Sequence, residues 1–365
     1  MAWLLNNFIL AGLPKSSRNK TMATPLIEFT DKGLYCRTGD FYIDPWRPVE
    51  RAVITHAHSD HARWGSKFYF CHHDTKPLLQ QRLGNNHYQS AGWNETIYFN
   101  GVRLSLFPAG HIIGSSQVKV EYNGEIWVVS GDYKLENDGL SGQFEPVKCH
   151  SFITESTFGL PIYHWKPQEI IYNGIKDWIS RNTAAGKTSV LIAYSLGKAQ
   201  RLLLPVAEVA RKIFVHGAVY NMHMALVNAG WDLPHVEKVQ HDTPKSDLQG
   251  SVVIAPSSAE GSPWIRRFAP YEIGICSGWM QVRGNVRRKN ADAGFILSDH
   301  ADWNGLLEAC KATEAECIYT THGFQSVFTR YLNEQGIQSK EVKTEYGDDE
   351  MPLTAEEESE TNLND

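Results

Sequence analysis

Thr55-His56-Ala57-His58-Ser59-Asp60-His61 follows directly on a short apolar run, residues 51–55, that reads as a β-strand. Three of the chain's 15 histidines and one carboxylate fall within six positions of this loop. Polar groups concentrated at a strand end need a partner, and a divalent cation is the economical one. His56 and His58, two residues apart, are placed to face one ion, while Asp60 and His61 turn toward a second. A solvated histidine-rich turn is the bland alternative, and it gives the crowding of imidazoles no cause.

The arrangement recurs outward from this loop. Pro108-Ala109-Gly110-His111 follows a strand expected at 102–107, and Ser130-Gly131-Asp132 follows one at 125–130. Ser298-Asp299-His300-Ala301-Asp302 follows 294–297, and Thr320-Thr321-His322-Gly323 follows 317–320. Each alone reads as a surface or hydrogen-bonded residue. Five such placements in one chain point to chemistry gathered at the ends of rigid strands. Further strands are expected at 26–30, 33–37, 67–71 and 117–122, with Asn123-Gly124 as a two-residue hairpin and a helix at 74–83 capped by Asp74. Beyond Glu155 the pattern alternates: helices near 167–182, 198–211 and 222–228, and strands at 189–193, 212–215, 251–255 and 272–276. That alternation predicts a parallel α/β unit. Helices at 302–312 and 325–334 are expected toward the end.

The chain has 365 residues, with 35 Lys and Arg against 41 Asp and Glu and a net charge of −6. At roughly 150 residues per unit, this length supports two or three structural units. A hydrophobic content of 42% with 21% charged residues excludes a wholly disordered or collagen-like chain. No stretch reaches the roughly 18–20 apolar residues of a membrane-spanning helix; the nearest, residues 3–13, is broken by Asn6-Asn7. Nine acidic residues and no Lys or Arg lie between 345 and 365, which leaves +3 on the rest and keeps a polyanionic ligand in view. Residues 346–365 are expected to be a disordered acidic tail. The six cysteines form no CxxC pair and nothing resembles a secretory leader, so a reduced, cytoplasmic protein is expected. Met22 opens a segment, ATPLIEFTDKGLYC, that reads as a domain start, with residues 1–21 a leader or upstream extension.

His-x-His-x-Asp-His after a strand, followed by Gly-His, Gly-Asp and a late His, resembles the metallo-β-lactamase fold. Ile153-Thr154-Glu155-Ser156-Thr157-Phe158-Gly159 and the SDHADW stretch, Ser298 to Trp303, resemble motifs A and B of the β-CASP nucleases. That group includes the mRNA 3′-end processing endonuclease, ribonuclease J and the Artemis DNA nucleases. Thr321-His322-Gly323 sits where motif C falls. The resemblance spans about residues 22–345. The compact insert and SLGKAQRLL, Ser195 to Leu203, are most similar to the bacterial ligase-associated DNA exonuclease group, which is encoded alongside an ATP-dependent DNA ligase and a helicase.

The resemblance implies an α/β protein: an αββα sandwich with a dinuclear metal site, built from residues 22–159 and 291–345, and an α/β β-CASP insert at 160–290 that closes over the metals. It implies that His56, His58 and His111 bind the first ion, that Asp60, His61 and His322 bind the second, and that Asp132 bridges both. Asp44, in FYIDPW, would support the site. His300 would be the general acid, oriented by Glu155, with Asp132 and Asp60 also counted in the catalytic set. Five imidazoles and few carboxylates favour two Zn²⁺ ions, with Mn²⁺ as the alternative.

The insert offers substrate contacts. Ser195 and Lys198 lie between a strand and a helix, where backbone N–H groups receive phosphate, and Ser257 and Ser258 form a second such turn. Arg283 and Arg287 belong to a basic run suited to a nucleic-acid backbone. The implied activity is metal-dependent DNA exonuclease action on ends before ligation. Four readings stay open: cleavage of DNA, cleavage of RNA, hydrolysis of a small molecule, and a non-catalytic scaffold. Family members acting on RNA usually carry His at motif C and Artemis-type DNA enzymes carry Val, so His322 speaks for RNA, whereas the insert speaks for DNA. A small-molecule hydrolase leaves Glu155 and the basic run without a role, and a scaffold would be expected to have lost metal ligands.

Overall fold

The computed structural model describes residues 25–282 and 291–346. The proposed leader, all of the acidic tail but Tyr346, and Arg283 and Arg287 lie outside the described residues.

Strands β1 (Glu28–Thr30), β2 (Gly33–Cys36), β3 (Phe41–Ile43), β4 (Arg51–Val53), β5 (Phe68–His72) and β6 (His87–Ala91) form one sheet in chain order, with helix α1 (Thr75–Leu83) between the last two. The chain then builds β7 (Thr96–Phe99), β8 (Val102–Pro108), β9 (Ser116–Tyr122), β10 (Glu125–Val129) and β11 (Ser151–Ser156). Asn123 and Gly124, both with positive φ, turn β9 back onto β10 as the two-residue hairpin requires. A third region follows: α2 (Gln168–Ala184), β12 (Thr188–Ile192), α3 (Lys198–Ala207), β13 (Ile213–Val215), α4 (Gly217–Asn228), β14 (Glu237–Lys238), α5 (Lys245–Leu248), β15 (Val252–Ala255), α6 (Pro263–Arg266), β16 (Tyr271–Cys276) and β17 (Ala293–Phe295). Helix α7 (Trp303–Ala312), β18 (Cys317–Gly323), α8 (Gln325–Glu334) and β19 (Ser339–Glu341) complete the described chain.

The second sheet runs β19-β18-β11-β10-β9-β8-β7, so the last strands of the chain join strands formed some 160 residues earlier. One core lies between the first two sheets: Leu34, Val53 and Phe70 pack with Leu104, Val120 and Trp127. Helix α1 covers the outer face of the first sheet through Leu78 and Leu79. Helices α7 and α8 cover the second sheet through Leu306, Phe328 and Leu332.

The third sheet, β14-β13-β15-β12-β16-β17, is parallel throughout. Its central strands read TSVLI and VVIA and are buried at every position, the mark of a sheet covered on both faces. One expectation moved. The strand expected at 294–297 is Ala293–Phe295, and it pairs with β16, so this sheet reaches past residue 290. Its short, half-buried run carried no signal of which sheet it would join. Among the described residues, no helix is long and apolar enough to cross a membrane.

Candidate metal centre

Asp132, on the loop after β10 and 2% exposed, is the residue on which the site converges. Its Oδ2 lies 3.5 Å from His56 Nε2, 3.5 Å from His61 Nε2 and 3.8 Å from His111 Nε2, and its Oδ1 lies 3.0 Å from His322 Nε2. Three sets of potential ligand atoms share it: with His56, His58 and His111; with His61 and His322; and with Glu155 and His300. Within each set all atoms lie within 4.8 Å of one another. Asp60 Oδ2 lies beside the second set, 3.4 Å from His61 Nε2. All three sheets contribute, since these groups follow β4, β8, β10 and β17 or stand on β11 and β18.

Each clustered imidazole has one nitrogen held by an oxygen. His56 Nδ1 is 3.0 Å from Thr55 Oγ1, and His61 Nδ1 is 2.8 Å from Asp44 Oδ2. His58 Nε2 meets the Leu196 carbonyl at 3.0 Å, and His111 Nδ1 meets the Asp299 carbonyl at 2.8 Å. His322 Nδ1 is 3.2 Å from Thr321 Oγ1. Asp44 also accepts from the Thr55 N–H and hydroxyl, so one carboxylate secures the start of the histidine loop and the orientation of His61. These outer contacts are what aligns the metal-facing nitrogen of a ligand histidine.

The electrostatics explain why the cluster fits cations. Carbonyls accept only from N–H, so His58 carries its proton on Nε2 and His111 on Nδ1. His58 Nδ1 and His111 Nε2 then face each other at 3.1 Å, close enough for one cation to lie against both. Burial, then His300 and His58, pushes His111 well below its ordinary value. Burial, then His61, does the same to His56. The other half is short of positive charge: burial opposes protonation of His61, but Asp60, Asp132 and Asp44 outweigh it and raise its pKa. His56 Nε2 and His61 Nε2 are buried with no hydrogen-bond partner. Imidazole nitrogens around a shared carboxylate suit Zn²⁺, and Mn²⁺ less closely.

Beside this cluster, Glu155 accepts the Tyr133 N–H at Oε1 (2.7 Å) and binds His300 Nδ1 at Oε2 (2.8 Å). Both are at most 2% exposed, and the His300 ring lies 4.6 Å from that of His111.

The insert candidates divide. Lys198, expected at a phosphate, is only 3% exposed, and its charge faces Asp299. The backbone N–H of Gly197 at the same helix start is taken by Gln200 Oε1 at 2.7 Å. Ser195 is half-buried, as is Ser257, and Ser258 is exposed on a single turn after β15. What the motif reading missed lies one helical turn past Lys198. Arg201, 2% exposed, donates to the Ser298 carbonyl (2.6 Å), Asp299 Oδ1 (3.0 Å) and Gln168 Oε1 (2.8 Å). It also lies 3.8 Å from Asp138, which binds Lys134 at 2.6 Å. This buried ion network joins the insert to the loop carrying His300. An arginine on an amphipathic helix reads as solvent-facing, so no local signal marked it.

A His/Asp cluster at the ends of strands from paired sheets, with an adjacent His–Glu pair, is the arrangement the sequence resemblance leads one to expect, and the relatives to which this chain is similar include β-CASP metallo-β-lactamase proteins. It is 30% identical over 312 residues, 84% of its length, to the "Probable DNA ligase" of Opitutus terrae, of which it spans 30%. It is 23% identical over 251 residues to the "RNase J-like protein" of Methanocaldococcus jannaschii, covering 57% of each chain. Over 122 residues it is 27% identical to "Endoribonuclease YSH1" of Saccharomyces cerevisiae, covering 33% of this chain and 15% of that one. The chain therefore spans between about a seventh and just over half of these relatives. A crystal structure of a protein of unknown function from Enterococcus faecalis shares the fold, with a TM-score of 0.56 at 12% identity over 83% of this chain and 79% of that one. No family model matches the chain.

Proposed function

We propose that this chain is a metal-dependent nuclease that hydrolyses phosphodiester bonds, acting on DNA ends before ligation, and that its first two sheets with their outer helices are the αββα sandwich of the metallo-β-lactamase fold. The observation that carries the activity is Asp132 standing between two His-rich ligand sets with the His300–Glu155 pair against it. His56, His58 and His111 would hold one divalent ion, and His61, His322 and the neighbouring Asp60 a second, with Asp132 between them. Ions so placed supply charge neutralisation of the phosphate and an acidified water.

The remaining chemistry is the chain's own. Glu155 accepts the Nδ1 proton of His300, and in the protonated ring the second proton, on Nε2, would pass to the departing alkoxide. Asp44 and the Leu196 and Asp299 carbonyls hold His61, His58 and His111 so that none has to reorient during turnover. Two of these three anchors come from the insert or its junction, so placing the insert over the cluster also completes the ligand geometry.

DNA is favoured because a relative that aligns with 84% of this chain is a polypeptide named for DNA ligation. RNA is the second reading, favoured by the ribonuclease names of the other relatives and by His322 within the cluster. The test is digestion of matched single-stranded DNA and RNA, labelled in turn at the 5′ and 3′ ends, by zinc- or manganese-loaded protein. Asp132→Ala, expected to lose both ions and all cleavage, is the control. Trimming of DNA absent from the control supports end processing, and label release gives its direction. Degradation of RNA alone selects the second reading, and cleavage of neither polymer overturns both.

A further inference from the structure

The last described residue, Tyr346, was expected to open a disordered tail and instead sits on the metal centre. Its ring stacks on His61, with centroids 4.5 Å apart and planes 10° apart, and meets His322 edge-on at 5.6 Å. The segment leading to it is tied down. Val342 N–H donates to the Thr320 carbonyl (2.9 Å), Arg63 to the Glu345 carbonyl (2.9 Å), and Arg47 pairs with the Glu345 carboxylate (2.8 Å). Arg63 follows the histidine loop and Arg47 follows Asp44, so the stretches that supply His61 and its anchor also hold the strap. Tyr346 closes one side of a small cavity lined by Asp44, His61, Ser130, Gly131, Thr321 and His322. Its hydroxyl is buried there without a hydrogen-bond partner.

We propose that Tyr346 is a positioning residue of the metal centre: its ring fixes the plane of His61, keeps Nε2 toward Asp132, and so sets the affinity of the His61–His322 half for its ion. The hydrogen bond to Asp44 leaves His61 free to tilt about that contact, and a stacked ring removes the tilt. The inference rests on the two-ion reading above.

The test is calorimetric titration of chelator-stripped full-length protein with Zn²⁺, alone and as Tyr346→Phe, Tyr346→Leu and Tyr346→Ala, each checked for an unchanged circular dichroism spectrum. The Phe variant keeps the ring and is expected to bind both ions as the parent does. Leu keeps bulk without an aromatic face; it and Ala are expected to keep the first ion and bind the second about 10–100-fold more weakly, the usual cost of losing an outer support. Leu and Ala variants that bind both ions with parental affinity overturn the role of Tyr346, as does a Phe variant weakened as much as Ala. A parent that takes up fewer than two ions overturns the two-ion reading, and this inference with it.

Discussion

His300 and the cluster histidines have the same side chain, and the proposed difference in their work rests on the partner of the second nitrogen. His58 and His111 hang from backbone carbonyls and His61 from Asp44, contacts that aim a nitrogen at the cluster. His300 hangs from Glu155, a carboxylate that stabilises a protonated ring and so suits proton delivery. His300→Ala is therefore expected to keep both ions, measured by elemental analysis, while turnover falls roughly 10²–10⁴-fold. Loss of metal in that variant would move His300 into the ligand set. At this scale the residue types were legible in the sequence as polar groups at or just past a strand end, Glu155 and His322 lying near the last residues of β11 and β18 themselves. Their anchors were not: the Leu196 and Asp299 contributions are backbone carbonyls, which any residue carries.

At the scale of elements, β11 and β18 show how a sheet presents two functional groups side by side. They pair in parallel, with a register break between Thr154 and Ser156, and Glu155 lies in that break. Ser156 Oγ then donates to the carbonyls of Thr321 (2.8 Å) and His322 (2.6 Å), locking the ends of the two strands together. Gly323 makes this approach possible. Its φ is +81°, and a Cβ there would lie 2.3 Å from the Ser156 carbonyl oxygen and 2.4 Å from Thr157 Cα. Gly323→Ala is expected to destabilise the fold by at least about 1–3 kcal/mol and to displace His322, read by denaturant unfolding and by weaker uptake of one ion. An unchanged midpoint and two parental affinities would show that the strand end relaxes without cost. The sequence placed His322 and the strand before it; the register break had no pattern of its own, because bulges are set by what the neighbouring strand must reach.

For the molecule as a whole, the network of Lys134, Asp138, Arg201 and Asp299 joins the insert to the two-sheet body. Burial works to raise the Asp138 pKa, but Lys134 and Arg201 outweigh it and hold the carboxyl below its ordinary value of 3.8. A depressed native carboxylate contributes stability that is complete above the ordinary value and is lost as pH falls through the native one. Asp138→Asn, which leaves the buried Lys134 without its close partner while Arg201 keeps Asp299, is expected to cost about 3–5 kcal/mol near neutral pH. The gap from the parent should narrow as pH falls below the ordinary value of 3.8, followed by denaturant unfolding. A gap that stays constant with pH would remove Asp138 from the ionised network. Arg201 and Asp299 are 98 residues apart and Lys134 and Arg201 lie in different layers, so the pairing exists only once the insert is seated. The sequence by itself determined the residue types of the cluster, their placement at or near strand ends and the parallel character of the third sheet, because periodicity and side-chain chemistry are local properties. Tertiary structure alone decided which sheet β17 joins, the burial of Lys198, the backbone carbonyls that aim His58 and His111, and the seat of Tyr346 on His61. Each of these depends on which distant segments meet once the core has closed, and no local pattern encodes that.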